Sequence, residues 1–135
     1  MINNDIIKVT ATGTIIAGIS GDSYEDRAKI VNARNAADSL DKTYSNGDVF
    51  EFIGVIISDG INEKTETPCK DTFLIQRDGS ALFSKSDGIY RAVKSIIEDE
   101  IFATYLNDGI WVKLLEIKTN GGNTMKSLMV VPPQA

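Results

Sequence analysis

The chain contains no histidine. This removes the usual general base near neutral pH and the commonest transition-metal ligand. It contains one cysteine, Cys69, so no disulfide can close within it. With no histidine to help, that cysteine cannot seed a structural zinc site of nitrogen and sulfur ligands in one chain. A reducing cytoplasm is the expected compartment. No apolar run approaches the ~20 residues of a membrane span. The opening MINNDIIKVT lacks the basic start and apolar core of a signal peptide, so no membrane partner is expected.

Other signatures of chemistry are missing as well. Cys69 has only Lys70 beside it, a poor activator of a thiol, and no nucleophile–base pair is visible. There is no Gly-Lys-Ser/Thr phosphate loop, and the glycines of TATGTIIAGISGD do not match a dinucleotide fingerprint. The stretch DGINEKTE lacks the alternating ligands and closing glutamate of a calcium loop. The expectation is a non-enzymatic protein with no metal and no cofactor.

What is present is a single domain over residues 1–135, with 132–135 as a short tail. Its composition is ordinary for a globular protein, 42% hydrophobic and 24% charged. The net charge of −5 argues against a generic basic nucleic-acid binder. That charge is uneven: residues 1–66 hold eleven acids and six bases, whereas 67–135 hold eight of each. A positive strip could exist in the second half, but it would have to be local.

Residues 6–19 are β-branched and broken at Gly13, which predicts one or two strands with a turn. Asp22 or Ser23 can cap a following helix whose first turn holds Glu25 and Asp26. Its apolar stripe reads as Ala28, Val31, Ala36 and Leu40. The run from Val49 to Ile57 predicts one central strand, and 61–70 an exposed loop. Asp78-Gly79 predicts a two-residue hairpin turn between DTFLIQ and ALFS. Ser86 or Asp87 then caps a helix with Ile89, Val93, Ile96 and Ile97 on one face. The acidic Glu98-Asp99-Glu100 is unfavourable at a helix C-terminus and predicts a break, with IFATYL as a short extra segment. A second hairpin turns through Gly121-Gly122. This order predicts an α+β fold: a mainly antiparallel sheet of about six strands with two helices, able to curl into a partly open OB-like barrel.

Three constellations could hold a ligand. At the second helix, Lys85 precedes the cap, Gly88 permits close approach, and Arg91 and Lys94 share a face. The plainer reading is a capped helix with a solvated cationic face. On the strand GIWVKLL, alternation puts Trp111 and Lys113 on one face, with Lys118 and Lys126 towards the hairpin tip. An aromatic beside cations can stack a base while the cations hold phosphates, and the plainer reading is a core tryptophan. On the first helix, Asn32 and Asn35 among Arg27, Lys29 and Arg34 either contact a partner or face solvent.

The stretches KIVNARNAADSL, GDVFEFIGVII, DTFLIQRDGSALFSKSDGIYRAVKSI and WVKLLEIKTNGGNTMKSLMV together resemble a family of small single-stranded-DNA-binding proteins of tailed phages of Gram-positive hosts. Gly88, Ile89, Tyr90 and Arg91 match its most distinctive segment, and the resemblance spans roughly residues 29–131. It implies a protein that coats single-stranded DNA during phage replication, in the cytoplasm of the infected host. From the residues themselves, Lys85, Arg91, Lys94, Lys113, Lys118 and Lys126 are expected to neutralise phosphates. Trp111, with Tyr90 or Tyr44, is expected to stack on bases. The chain ends VVPPQA, without the acidic tail that recruits replication proteins in other single-strand binders. The competing expectation is an interaction module that sequesters a host or defence protein, its acidic first half facing a basic partner. A small homo-oligomeric assembly or virion protein is a third.

Overall fold

In the computed structural model, which describes residues 7–10, 13–19 and 23–134, the apolar run 49–57 is two strands rather than one. Val49–Phe52 belongs to one sheet and Gly54–Asn62 to another. Ile53 carries the chain across, donating its N–H to the Ile75 carbonyl at 2.7 Å. The two halves have different burial. Phe50 and Phe52 are buried while Val49 and Glu51 are half-exposed, the alternation of a strand with one covered face. Residues 54–58 are all buried, as in a strand covered on both faces. Fused end to end, the two patterns mimic a single central strand.

In chain order the elements are β1 (Ile7–Val9), β2 (Ile15–Ala17), helix α1 (Tyr24–Ala36), β3 (Asp38–Ser39) and the single turn α2 (Leu40–Thr43). Then follow β4 (Val49–Phe52), β5 (Gly54–Asn62), β6 (Thr67–Ile75), β7 (Ala81–Ser84) and helix α3 (Asp87–Glu98). A 3-10 helix (Phe102–Asp108), β8 (Ile110–Lys118) and β9 (Thr124–Val130) complete the described chain. The larger sheet runs β1-β2-β5-β6-β7-β3, antiparallel except for the short β3–β7 pair. The smaller runs β4-β8-β9, antiparallel throughout. The α+β class and the mainly antiparallel pairing are as expected. The described strands do not close into a barrel: the larger sheet ends in edges at β1 and β3. None of the described helices is long and apolar enough to cross a membrane.

Three layers result. Helix α1 covers one face of the larger sheet, where Ile30 and Ala33 meet Ile16, Ile56 and Phe73. Across the other face, Val55, Ile57, Leu74 and Leu82 pack against Ile89, Val93, Ile96 and Ile97 of α3. They also meet the inner face of the smaller sheet, formed by Phe50, Phe52, Ile110, Val112, Leu114 and Leu128. Each such side chain taken out of water stabilises the fold by about 1.5–3 kcal/mol.

Several boundaries differ from the sequence reading. The turn at Gly13 does separate two strands, β1 and β2, although Ile6, Ala11 and Thr12 lie outside the described residues. Ser23 caps α1, its hydroxyl accepting from the Asp26 N–H at 3.0 Å. Asp22, the other candidate, lies outside the described residues. The buried face of α1 is Ile30 and Ala33, not Ala28 and Val31; Val31 is 49% exposed. The helix also stops at Ala36, so Leu40 anchors α2 instead. Asn32 and Asn35 are exposed. Most of the expected loop 61–70 is strand, because β5 and β6 pair from Gly54↔Ile75 out to Asn62↔Thr67. The expected two-residue Asp78-Gly79 turn is longer by a residue. The Gln76 N–H reaches the Ser80 carbonyl at 2.8 Å, and only Gly79 takes a positive φ, +91°. The break after α3 is as expected: the Asp99 carboxylate accepts the N–H groups of Ile101 and Phe102 at 3.1 and 2.8 Å. Its negative charge thereby serves the start of the 3-10 helix rather than opposing the end of α3.

Candidate nucleic-acid interface

Strand β8 is the middle strand of the smaller sheet, and its alternation decides which side chains look outward. Ile110, Val112 and Leu114 are buried, while Trp111, Lys113 and Leu115 are half-exposed on the opposite face. On that face Trp111 stands opposite Glu51 of β4, and Lys113 lies between Val49 and Met129. Towards the hairpin tip Leu115 pairs with Ser127 and Ile117 with Met125. The result is an open, largely apolar sheet face with one cation beside its one tryptophan. Lys113 makes no ion pair among the described residues. By the same alternation Lys118 and Lys126 fall on the other face of the hairpin.

Arg77 lines a shallow depression together with Trp111, and the sequence reading did not single it out. Its guanidinium grips Glu51 through two bonds, at 3.1 and 2.7 Å, and the Asp108 carbonyl through a third at 2.8 Å. These join the β6–β7 turn to β4 and to the end of the 3-10 helix. Tyr44, one of the candidate stacking rings, already stacks on Phe50, with centroids 4.6 Å apart and 11° between planes. Its hydroxyl accepts from Gln76 at 3.0 Å. One of its faces is thus committed to the protein.

The basic start of α3 is engaged as well. The Lys85 ammonium donates to Asp71 at 2.8 Å, and that hydrogen bond raises its pKa above the ordinary lysine value. Arg91 turns back one helical turn to Asp87 at 2.7 Å. Tyr90 is half-buried against the core, and the Lys94 ammonium lies 5.7 Å from its ring centre. Arg91 and Lys94 therefore do not act as one cationic face: one is exposed and paired, the other lies over a ring. Lys126 bonds Asp41 at 2.6 Å, with Glu116 at 3.8 Å, and is only 23% exposed.

The start of α3 opens on a cleft of about 880 Å³, lined among others by Asn62, Lys64, Lys85, Asn123 and Lys126. The structure thus brings Lys85 and Lys126 together in the cleft, and Trp111 and Lys113 together on the outer sheet face. It leaves Tyr90, Arg91 and Lys94 on α3 and Lys118 near the hairpin tip. The eight candidates do not form one strip. Lys64, Arg77, Phe102 and Tyr105 join these places without having been singled out from sequence, because they lie in turns and in the 3-10 helix, which only the tertiary fold brings there.

No family model, no curated protein and no solved structure matches the chain.

Proposed function

We propose that the protein is a non-enzymatic binder of single-stranded DNA, working through the outer face of the β4-β8-β9 sheet. The observation that carries this reading is the placement of Trp111 and Lys113 at alternate positions of the middle strand. Both face outward, and the lysine makes no ion pair among the described residues. An exposed aromatic on a sheet accepts any base by stacking, worth about 1–3 kcal/mol per base, while a neighbouring ammonium holds the phosphate. Such contacts carry little sequence information, so preference among sequences is slight. That the DNA is a phage replication intermediate, coated in the host cytoplasm, follows from the family resemblance alone.

The ion pairs limit how strong this binding is. A phosphate at Lys85, Arg91 or Lys126 must compete with Asp71, Asp87 or Asp41. Lys94, Lys113 and Lys118 have no carboxylate partner among the described residues. Of these only Lys113 lies on the outer sheet face, and one phosphate neutralised there on a single strand corresponds to a slope of about −0.7 in log K against log salt. Fluorescence anisotropy with labelled oligo-dT tests the proposal. Binding at low salt with that slope, weakened about tenfold by Trp111→Ala, is the expected result. No binding at ~10 μM protein would overturn it, since that is weak even for nonspecific contacts.

A second reading has its own observation. Ile117 and Met125, paired near the hairpin tip, are 43% and 46% exposed, and half-exposed Leu115 connects them along the same face to Met129, 44% exposed. Exposed apolar side chains in a contiguous patch suit a protein partner, in keeping with a module that sequesters a host or defence protein.

A further inference from the structure

Beside Trp111 lies a separate pocket of about 280 Å³, between the 3-10 helix and the chain beyond β9. Gly109 makes the bend that opens it. At φ +101° it takes a conformation that L side chains rarely adopt, and its N–H bonds the carbonyls of Tyr105 and Leu106 at 3.1 Å each. On the far side, the Val131 N–H donates to the Trp111 carbonyl at 3.0 Å and holds the final segment alongside β8. The walls include three aromatic rings, Phe102, Tyr105 and Trp111, together with Pro133; Ile110 and Val130 contribute the apolar remainder. The charged group in the lining is Asp108, which makes no ion pair among the described residues, and no lysine or arginine lines the pocket.

We infer that this pocket binds a small organic cation of the alkylammonium class. The faces of aromatic rings carry partial negative charge and attract a cation held within about 6 Å of them. Asp108 adds a negative charge to the lining, partly offset by the Arg77 guanidinium, which bonds the Asp108 carbonyl at 2.8 Å but is not itself in the lining. Ring geometry decides between a cation and the flat base of a nucleic acid. Phe102 and Tyr105 meet nearly at right angles, 76°, with centroids 6.1 Å apart. A planar base can stack on one of two such rings but not on both. A compact, roughly spherical cation can touch both walls of the corner. Tyr105 is 53% exposed, so the corner is open to an incoming group. The inference stands apart from DNA binding, although Trp111 borders both places.

Tetramethylammonium is the simplest probe, titrated against Trp111 fluorescence with sodium chloride at matched ionic strength as the control. A saturable change is expected with tetramethylammonium and none with sodium. Tyr105→Ala and Asp108→Asn should each weaken the response about fivefold, the scale of one partly exposed cation–π or charge contact. Both positions are exposed on the surface, so both variants should fold. Choline and a peptide carrying trimethyl-lysine then separate a free ligand from a side chain of a partner: tighter binding of the peptide assigns the pocket to a protein partner, tighter binding of choline to a metabolite. No saturation by about 100 mM tetramethylammonium would overturn the inference, because even a millimolar site is filled there. A response to nucleosides with none to tetramethylammonium would overturn it equally, and would make the corner a base pocket. Failure of tetramethylammonium alone leaves the oligo-dT titration untouched, because that titration reads the outer sheet face.

Discussion

Gly88, in the first turn of α3, lies against the backbone carbonyl of Lys126 in β9, so closely that a methyl group on Gly88 would occupy the place of that oxygen. The glycine here serves contact between helix and strand rather than a ligand's approach. It allows α3 to seat on the open edge of the smaller sheet, and the four buried residues of the helix follow from that seating. The GIYR segment that carries the family resemblance is thus first a packing device.

Replacing Gly88 with alanine should destabilise the protein, although glycine-to-alanine changes in helices ordinarily help by up to ~1 kcal/mol. A backbone carbonyl cannot swing aside as a side chain does, and overpacking of this kind costs about 1–3 kcal/mol. Urea denaturation should show a lower midpoint for Gly88→Ala. A higher midpoint would mean that the helix does not seat on β9 as described.

The face of α1 that is buried can be tested by two neighbouring truncations. Ile30 is 4% exposed against Phe73 and Ile56, whereas Val31 is 49% exposed. Ile30→Ala should cost about 2–5 kcal/mol of stability. Val31→Ala should change it by less than about 0.5 kcal/mol. Equal effects at the two positions would restore the stripe read from the sequence.

The Lys85–Asp71 pair predicts a dependence on alkaline pH. The folded state raises the lysine pKa through the hydrogen bond to Asp71. A raised pKa means that its contribution is complete below the ordinary lysine value and is lost as pH climbs through the higher folded one. Wild type should therefore exceed Lys85→Met in urea midpoint at about pH 8, and the gap should narrow by about pH 11. A gap that does not change with pH would place the effect in packing on Phe83, whose ring centre is 5.4 Å from the ammonium.

Met129 separates the DNA reading from the protein-docking one. It lies beside Lys113 on the outer sheet face, with 44% of its surface exposed. Met129→Lys adds an outward cation there. If the face binds DNA, affinity for oligo-dT should rise and the salt slope steepen by about 0.7. If the face docks an apolar surface of a protein, the same change introduces an unpaired charge and should abolish that docking, with no gain towards DNA.

Local pattern sufficed for much of this molecule. The stripe Ile89, Val93, Ile96 and Ile97, the Ser86 cap, the break at Asp99 and the β8–β9 hairpin are all legible, because each is written in residues close together in the chain. That Trp111 and Lys113 share one face, opposite Ile110, Val112 and Leu114, is legible for the same reason, since alternation in a strand needs only the strand. The errors fall where one local pattern serves two long-range arrangements. An apolar run gives no sign that Ile53 changes sheets, and α1 is too weakly amphipathic for its sequence to choose between the faces of Ile30 and Val31.

The candidate site divides in the same way. Composition by itself excluded histidine chemistry and internal disulfides, and required any positive strip to be local. Only the tertiary structure decided which cations are free. Asp71, Asp87 and Asp41 neutralise Lys85, Arg91 and Lys126, and two of those pairs join residues far apart in sequence. The corner of Phe102, Tyr105 and Trp111 likewise exists only because Gly109 turns the chain and the last residues return alongside β8. Charge and aromatic content are properties of the chain; whether a charge is paired or a ring exposed is a property of distance, which folding alone sets.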